Sequence, residues 1–301
     1  MNIKITADST CDLSEELLRQ WNISLMPMHI LMGDDTYLDG VTIHPADVFA
    51  HVDAGGQTPK SAAANPVEYI DFFEPFAKEY DAVIHISVSA KLSSCYQNAR
   101  LAAQEYDNVS VIDSENICTG QGYLVLRAAK WAADGLTARN ICMRLQSLAN
   151  RVELSFVLNQ LNYMAKSGRC SGVLAFGANI LGIKPSLAII DGELEVVKKY
   201  RGSLPSAWAS TSPTCWMAGT ISTTAWSLSR PASPNPAVWR PSKPVCANTA
   251  SLRTLLKPTS ARPSAATPAP APSASCLRRK FNRHSTKAAL PCGEFHGRAA
   301  F

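Results

Sequence analysis

Hydroxyl side chains recur beside the strand-like stretches of this sequence. The segments that contain them are Asp8-Ser9-Thr10 after the first stretch, Ser61 before a capped helix, Ser87, Ser89, Ser93 and Ser94 after the third stretch, and Asp113-Ser114 after the fourth. Hydroxyls and the amides of helix N-termini donate hydrogen bonds to a carboxylate or phosphate without requiring a fixed positive charge. The pattern therefore predicts an anion-binding site where these loops meet.

Each loop taken alone also fits helix capping, because Ser and Thr are favoured at N-caps and in turns. Recurrence after several strands favours binding. Other site chemistries lack their sequence patterns, since there is no nucleophile elbow, no P-loop and no G-x-G-x-x-G after a strand. The spacing of His29, His44, His51 and His85 is not that of metal ligands, and no C-x-x-C occurs. We therefore expect neither a metal nor a cofactor.

Strand-like stretches alternate with helical patterns over the first 150 residues, as in a layered α/β protein with a parallel sheet. Strands are predicted at residues 2–6, 23–30, 82–86 and 109–112. Helices are predicted at 14–21, 93–106, 120–133 and from Thr137 to about 150. A further helix begins at Asn65-Pro66-Val67-Glu68, which supplies an N-cap, a proline at N1 and an acid at N3. In such sheets, ligands bind beyond the carboxyl ends of the strands.

A second domain is expected to begin near residue 154. Residues 154–158 form the first apolar stretch after the last predicted helix of the sheet, and residues 194–200 read as another strand of this domain. We therefore divide the chain into a first domain at residues 1–153, part of a second domain at 154–203, and a remainder at 204–301.

The composition changes abruptly at Ser203. Residues 1–203 hold 23 of the 24 acidic residues, 17 basic residues and 6 of the 19 prolines, whereas residues 204–301 hold 13 prolines, 12 Lys/Arg and one acid, Glu294. A soluble domain needs an apolar period and a mixture of charges, which the later segment lacks. We expect residues 204–301 to be disordered. Their aromatic and basic patterning does not favour nucleic-acid binding.

The N-terminus shows no basic and apolar leader segment, and no run of 18 apolar residues occurs. We expect a soluble, cytoplasmic protein that does not span a membrane.

Several ordered motifs resemble the DegV family of bacterial fatty-acid-binding proteins. They are Ala7-Asp8-Ser9-Thr10-Cys11-Asp12-Leu13, the segment from Ile86 to Ala99, Val111-Ile112-Asp113-Ser114, Gly120-Gln121-Gly122, the stretch from Leu161 to Arg169, Lys184-Pro185, Asp191-Gly192 and Arg201-Gly202. One departure is Ser94, which stands where the family usually has Gly. The resemblance covers residues 1–203 and implies a two-domain DegV-like fold.

The resemblance implies that the protein binds one long-chain fatty acid and presents its carboxylate to a separate fatty-acid kinase. By position, Ser93, Ser61 and Ser94 would bind the carboxylate. Ser61 stands where the family has Thr, and the hydroxyl residue that follows this Thr in the family is replaced here by Ala62. Arg169 would support the acyl phosphate or contact the kinase, and Asp8 and Ser9 would have supporting or contact roles.

An enzyme similar to the dihydroxyacetone kinases or the sugar phosphotransferases is the alternative, because folds of that type resemble this one. Its chemistry would use a covalent histidine, and no histidine lies in the motifs above. We therefore expect a binding protein and not an enzyme.

The family's closing His-x-Gly-Pro-Gly-x-x-Gly segment is missing from the frame as written. A shifted frame reads the third base of each codon together with the first two bases of the next codon. Because Trp216 and Met217 have one codon each, the shifted triplet across Trp216-Met217 must encode Asp, and the triplet across Met217-Ala218 must encode Gly. The same shift allows His-Ser-Gly-Pro-Gly-Thr-Leu-Gly within residues 263–276. The sequence thus predicts a frameshift near Ser203, which leaves the second domain incomplete.

Resequencing the gene across the Ser203 codon tests this prediction. A one-base insertion or deletion at that point, relative to a frame that encodes the closing segment, is the expected result. A gene whose uninterrupted frame gives the protein as written would contradict the frameshift.

Overall fold

A four-stranded parallel sheet organises the first part of the chain. In the computed structural model, which describes residues 1–158, 164, 167–170, 183–202 and 221–225, the strand order is β2-β1-β6-β7. These strands are β1 (Ile3–Asp8), β2 (Ser24–Met26), β6 (Ala82–Ser87) and β7 (Val109–Asp113). All three pairings are parallel, with Ala7 beside Ile86 and Ser87 beside Asp113. The predicted α/β class and parallel sheet are confirmed.

Six helices accompany the strands within the described residues. They are α1 (Glu15–Gln20), α2 (Pro45–Asp53), α3 (Pro66–Glu79), α4 (Cys95–Ala103), α5 (Cys118–Ala133) and α6 (Ala138–Ala149). Local signals set three of their starts, because the side chains of Ser14, Asn65 and Thr137 each accept a hydrogen bond from a first-turn amide. At Asn65 the capping box is complete, since Glu68 Oε2 accepts from the Asn65 amide. Sequence analysis did not predict α2.

The sheet is covered on both faces, which its parallel strands require. Ile84 and Ile86 of β6 pack with α5 and α6, in a core that also contains Leu124 and Leu145. The alternate residue His85 faces the other side, where it meets the rings of α3. A second core, centred on α3 and α4, lies on that side.

Residues 23–30 form two strands in different sheets, so the prediction of a single strand was wrong. Strand β2 ends at Met26 and β3 (His29–Met32) begins a separate antiparallel sheet of order β4-β3-β5, with β4 (Asp35–Leu38) and β5 (Lys60–Ala62). Pro27 lies between them, and a proline lacks the amide hydrogen that a central strand donates. The chain leaves the parallel sheet at this point.

A mixed sheet of order β10-β9-β8-β11 follows. Its strands are β8 (Val152–Val157), β9 (Ile183–Ile190), β10 (Glu193–Arg201) and β11 (Ile221–Ala225). An Asp191-Gly192 turn joins β9 to β10, and both residues have positive φ, which an Asp-Gly pair accommodates. The predicted strand at 194–200 corresponds to β10, whereas β9 was not predicted.

Strand β11 pairs in parallel with β8 and lies inside the segment for which we expected disorder. At these five residues the structure differs from that expectation. The rest of residues 204–301, and with it the predicted frameshifted sequence, lies outside the described residues. Of the helices that the structure describes, none has the length and apolar character needed to cross a membrane.

Candidate functional site

The carboxyl ends of three neighbouring strands place their loops together. Strands β1, β6 and β7 end at Asp8, Ser87 and Asp113, and the pairing register puts Ser87 beside Asp113. The loop from residue 88 to 94 leaves β6 at this edge and leads into α4. Parallel strands direct their following loops to one side of the sheet, so the hydroxyl-rich segments meet there as predicted.

Asp8 fixes the start of the 88–94 loop. Its carboxylate is fully buried and accepts hydrogen bonds from the Ser87 hydroxyl at 2.6 Å, the Val88 amide at 2.8 Å and the Tyr69 hydroxyl at 2.5 Å. His85 Nε2 lies 3.1 Å from the same carboxylate. Because hydrogen bonds to a buried charge are strong, this residue joins β1, β6 and α3 at one point.

The pKa of Asp8 is lowered in the fold. Burial acts to raise it, but the adjacent His85 and the hydrogen bonds from His85, Ser87 and Tyr69 outweigh that effect. Burial and the Asp8 charge raise the pKa of Tyr69 well above its ordinary value, so Tyr69 keeps the proton that it donates. Asp8 is therefore a buried carboxylate that accepts a hydrogen bond from a neutral Tyr69 hydroxyl.

Asp113 holds the middle of the same loop. Its carboxylate accepts from the Ala90 amide at 3.3 Å and from the Glu115 amide at 2.8 Å. Burial raises the pKa of Asp113 and also that of Glu115, whose pKa is raised further by the charges of Asp113 and Asp191. Two carboxylates on the strands that flank β6 thus anchor the start and the middle of one short loop.

A cleft of about 590 Å³ opens beside this loop. One wall consists of residues 62, 63 and 65 after β5, and the other consists of residues 90–94 and Asn98. Arg169 also lines the cleft. Ser93 is half-buried, while Ser94, Lys91 and Arg169 are exposed. The cleft therefore offers two hydroxyls and two cationic side chains to an anionic group.

The Ser93 hydroxyl caps the start of α4. Its oxygen accepts from the Cys95 amide at 3.3 Å, and the hydroxyl lies 3.2 Å from Cys95 Sγ as donor. Burial raises the pKa of Cys95 to about 12, and the Asp8 charge acts in the same direction. Cys95 is therefore a neutral thiol, and a thiol sulfur is a weak acceptor. The Ser93 proton is available to a stronger acceptor in the cleft.

The structure brings three of the six predicted site residues into one cleft: Ser93, Ser94 and Arg169. Ser61 belongs to β5 beside Ile30 and does not line the cleft, although its neighbour Ala62 does. Asp8 and Ser9 are buried, and Ser9 donates to Asp39 at 2.6 Å. Burial leaves these two residues no surface through which to contact another protein.

Lys91 and Asn98 were not predicted as site residues. Asn98 donates to the Ala64 carbonyl at 2.7 Å and thereby ties the two walls of the cleft together. Lys91 lies in the quoted 86–99 segment, so its charge was visible in the sequence, but its position on the wall depends on the loop conformation. Contacts between distant segments such as 64 and 98 have no local sequence signal.

The second sheet meets the 88–94 loop at the β9–β10 turn. Ser89 donates to the Gly192 carbonyl at 2.7 Å, and Lys91 Nζ lies 3.5 Å from Glu193 Oε1. Apolar side chains from both sheets form one continuous core beneath this junction. Its members include Val88, Ile117, Leu154, Phe156, Leu187 and Ile189.

Comparisons with known proteins agree with this architecture. The family model described as "Uncharacterised protein, DegV family" matches residues 2–209. A DegV domain-containing protein of Clostridium perfringens is 34% identical over 203 residues, which cover 67% of this chain and 73% of that protein.

Two solved structures are similar over most of the described chain. A DegV family protein of Thermus thermophilus, described by its fatty-acid binding, is 28% identical with a TM-score of 0.65 and covers 73% of this chain and 79% of its own. A stearic-acid-binding protein of Eubacterium ventriosum is 26% identical with a TM-score of 0.64 and covers 71% and 76% of the two chains.

Replacing Asp8 by Asn is expected to lower the free energy of unfolding by about 3–5 kcal/mol at pH 7, because an amide leaves buried donors without a charged acceptor. Urea unfolding followed by circular dichroism measures the change. The matched control is Asp71→Asn, an exposed residue of α3, which should change stability by less than about 0.5 kcal/mol.

The destabilisation should also depend on pH. Since the folded pKa of Asp8 is lowered, its stabilisation is complete above its unfolded pKa of about 4 and is lost as the pH falls through the folded pKa. The difference between wild type and Asp8→Asn should therefore shrink below about pH 4. A difference of constant size between pH 7 and pH 3 would contradict the charged state assigned to Asp8.

Proposed function

The chain belongs to the DegV family, and we propose that it binds one long-chain fatty acid with the carboxylate in the Ser93–Arg169 cleft. The observation that supports this most directly is the position of the cleft, which lies beside an apolar core drawn from both sheets. A fatty acid has the same division into an anionic head and an apolar chain. Structural relatives described as fatty-acid-binding proteins support the same proposal.

A bound carboxylate would give the Ser93 hydroxyl a stronger acceptor than the one it has now. Ser93 now donates to a neutral sulfur, and a carboxylate would accept that proton in a charge-assisted hydrogen bond. Ser94 lies next to it and Arg169 lines the same cleft. Asp8 holds the loop that carries these groups through Ser87 and Val88, so the donors need little reorganisation on binding.

The acyl chain would supply most of the affinity, at about 0.8 kcal/mol for each buried methylene. The apolar core at the junction contains side chains from β8, β9 and α3 together with the partly buried Leu92 of the cleft wall. A chain that continues from the head group past Leu92 would enter this core. Burial between the two sheets would then tie ligand binding to their association.

A binding protein fits the cleft better than the enzyme alternative. Within the described residues, no histidine lines the cleft, and His85 is fully buried beneath the sheet edge. Cys95 is not a nucleophile at neutral pH because its pKa is raised to about 12. A covalent phosphohistidine or thiol intermediate therefore has no side chain to form on in this cleft.

We propose further that the bound carboxylate is presented to a separate fatty-acid kinase, as the family resemblance implies. Arg169 is exposed at the cleft, and its guanidinium donates to the Ser167 carbonyl at 2.7 Å, which leaves other donors available. A guanidinium at this place could bind the phosphate oxygens of an acyl phosphate or an acidic group of the kinase. It would act on the transfer step more than on the acyl chain.

We also propose the domain division into residues 1–153, residues 154–203 and a replaced remainder. The family match ends at residue 209, and the Clostridium perfringens relative is covered over only 73% of its length. A frameshift near Ser203 would explain both the end of the family match and the incomplete coverage of the relative. About a quarter of the relative has no counterpart in this chain, so the second domain would lack several of its elements.

Ser93→Ala is expected to weaken fatty-acid binding by roughly ten-fold or more, because a hydrogen bond to a charged group is lost without any change in the apolar contacts. Displacement of a fluorescent fatty acid measures the affinity, and native mass spectrometry measures the acyl occupancy. Ser147→Ala, at an exposed position of α6, is the matched control and should bind as the wild type does. Equal affinity in the Ser93 and Ser147 variants would remove Ser93 from the head-group site.

Arg169→Ala is expected to separate binding from transfer. Fatty-acid affinity should change by less than about three-fold, while the rate at which a purified fatty-acid kinase forms acyl phosphate on the loaded protein should fall about ten-fold or more. Arg100→Ala, at an exposed arginine of α4 outside the cleft, is the control. A kinase rate as high in Arg169→Ala as in Arg100→Ala would contradict the assigned role.

A further inference from the structure

A second cleft lies on the other face of the parallel sheet, between α5 and α6. It has a volume of about 500 Å³, and three arginines line it: Arg127 from α5, Arg144 from α6 and Arg151, which directly precedes β8. Tyr123 and Trp131 form part of the same lining. The Ser93–Arg169 cleft shares none of these residues and adjoins the core on the other face of the sheet, which is centred on α3 and α4.

Among the residues that the structure describes, no acidic side chain pairs with the three arginines. None of the residues that line this cleft is Asp or Glu, and the ion pairs of the described residues do not include Arg127, Arg144 or Arg151. The nearest acid along the chain from Arg151, Glu153, does not line the cleft. Three positive charges gathered without a carboxylate repel one another, and an anion between them would remove that repulsion.

Arg127 carries the clearest sign of an absent partner. Its Nε is buried and has no hydrogen-bond acceptor among the described residues. A buried guanidinium donor without an acceptor costs free energy, so native proteins nearly always supply one. Arg127 therefore lines the cleft with part of its hydrogen-bonding capacity unmet among the described residues.

Trp131 holds two of the guanidinium groups in place. The Cζ atoms of Arg127 and Arg144 lie 4.8 and 5.5 Å from the centre of its ring, within the range of cation–π contacts. Trp131 is only 9% exposed, so it offers little surface on which a nucleobase could stack. The tryptophan orients the cations, and the cations are what a ligand would contact.

We propose that this cleft binds the phosphate group of a small phosphorylated ligand. Guanidinium groups match phosphate oxygens in pairs, and three of them suit a dianion better than a single carboxylate. The cleft is larger than inorganic phosphate needs, which leaves room for an organic group beside Met143 at the rim. A phosphorylated metabolite and a phospholipid head group share this chemistry, and the experiment below distinguishes them.

The test uses the full chain and two soluble probes, inorganic phosphate and glycerol 3-phosphate, titrated by calorimetry at constant ionic strength. We expect saturable binding that weakens by about ten-fold or more in the Arg144→Gln/Arg151→Gln double variant, because two charge-assisted contacts are lost. Both arginines are exposed, and circular dichroism checks that the variant folds. Arg139→Gln, on α6 but outside the cleft, is the control and should leave the affinity unchanged.

Sedimentation with phosphatidylcholine vesicles that contain phosphatidic acid provides the second arm. Co-sedimentation that requires phosphatidic acid and is lost in the double variant but not in Arg139→Gln would identify a lipid head group as the source of the phosphate. Binding of the soluble probes without co-sedimentation would identify a soluble ligand. The proposal is overturned if neither arm shows binding, or if the double variant binds as strongly as Arg139→Gln. Fatty-acid affinity, measured in parallel, should be the same in all of these variants.

Discussion

The buried carboxylate of Asp8 is the interaction on which the site depends. It receives hydrogen bonds from α3, from the end of β6 and from the first residue of the following loop. Removing a charge from water is costly, so the group is stable there only because several donors surround it together. The same donors fix the end of β6 relative to β1, and from that end the chain continues to Ser93. The position of the loop that lines the cleft thus depends on the Asp8 carboxylate, although Asp8 does not itself line the cleft.

Local sequence signals predicted most of the first domain. The N-caps at Asn65 and Thr137 and the buried strand at residues 82–86 are determined by residues within one or two turns, so each could be read directly from the chain. The error at residues 23–30 has a different cause. Both halves of that stretch are extended, as predicted, but Pro27 divides them between two sheets, and the choice of sheet is a tertiary matter.

The sequence predicted the location and the polar character of the candidate site, but not all of the residues that line the cleft. The recurrence of hydroxyls after strands indicated the edge of the sheet at which the cleft opens, and Ser93, Ser94 and Arg169 do line this cleft. Ser61 misses the lining because residues of a strand alternate between two faces, and a shift of one residue moves a side chain from one face to the other. The arginine cleft had no sequence signal, since Arg127, Arg144 and Arg151 come together only when α5 packs beside α6.

The carboxylates around the Asp191-Gly192 turn have a consequence for mild acidification. Burial raises the pKa values of both Asp113 and Glu115 in the fold, and the charges of Asp113 and of Asp191, from the second sheet, raise that of Glu115 further. A raised folded pKa means that these acids disfavour the fold while they are ionised, and that proton uptake removes this cost as the pH falls through that pKa. Asp8 responds in the opposite sense and at lower pH. The contact between the two sheets should accordingly tighten in weak acid before the parallel sheet itself begins to loosen.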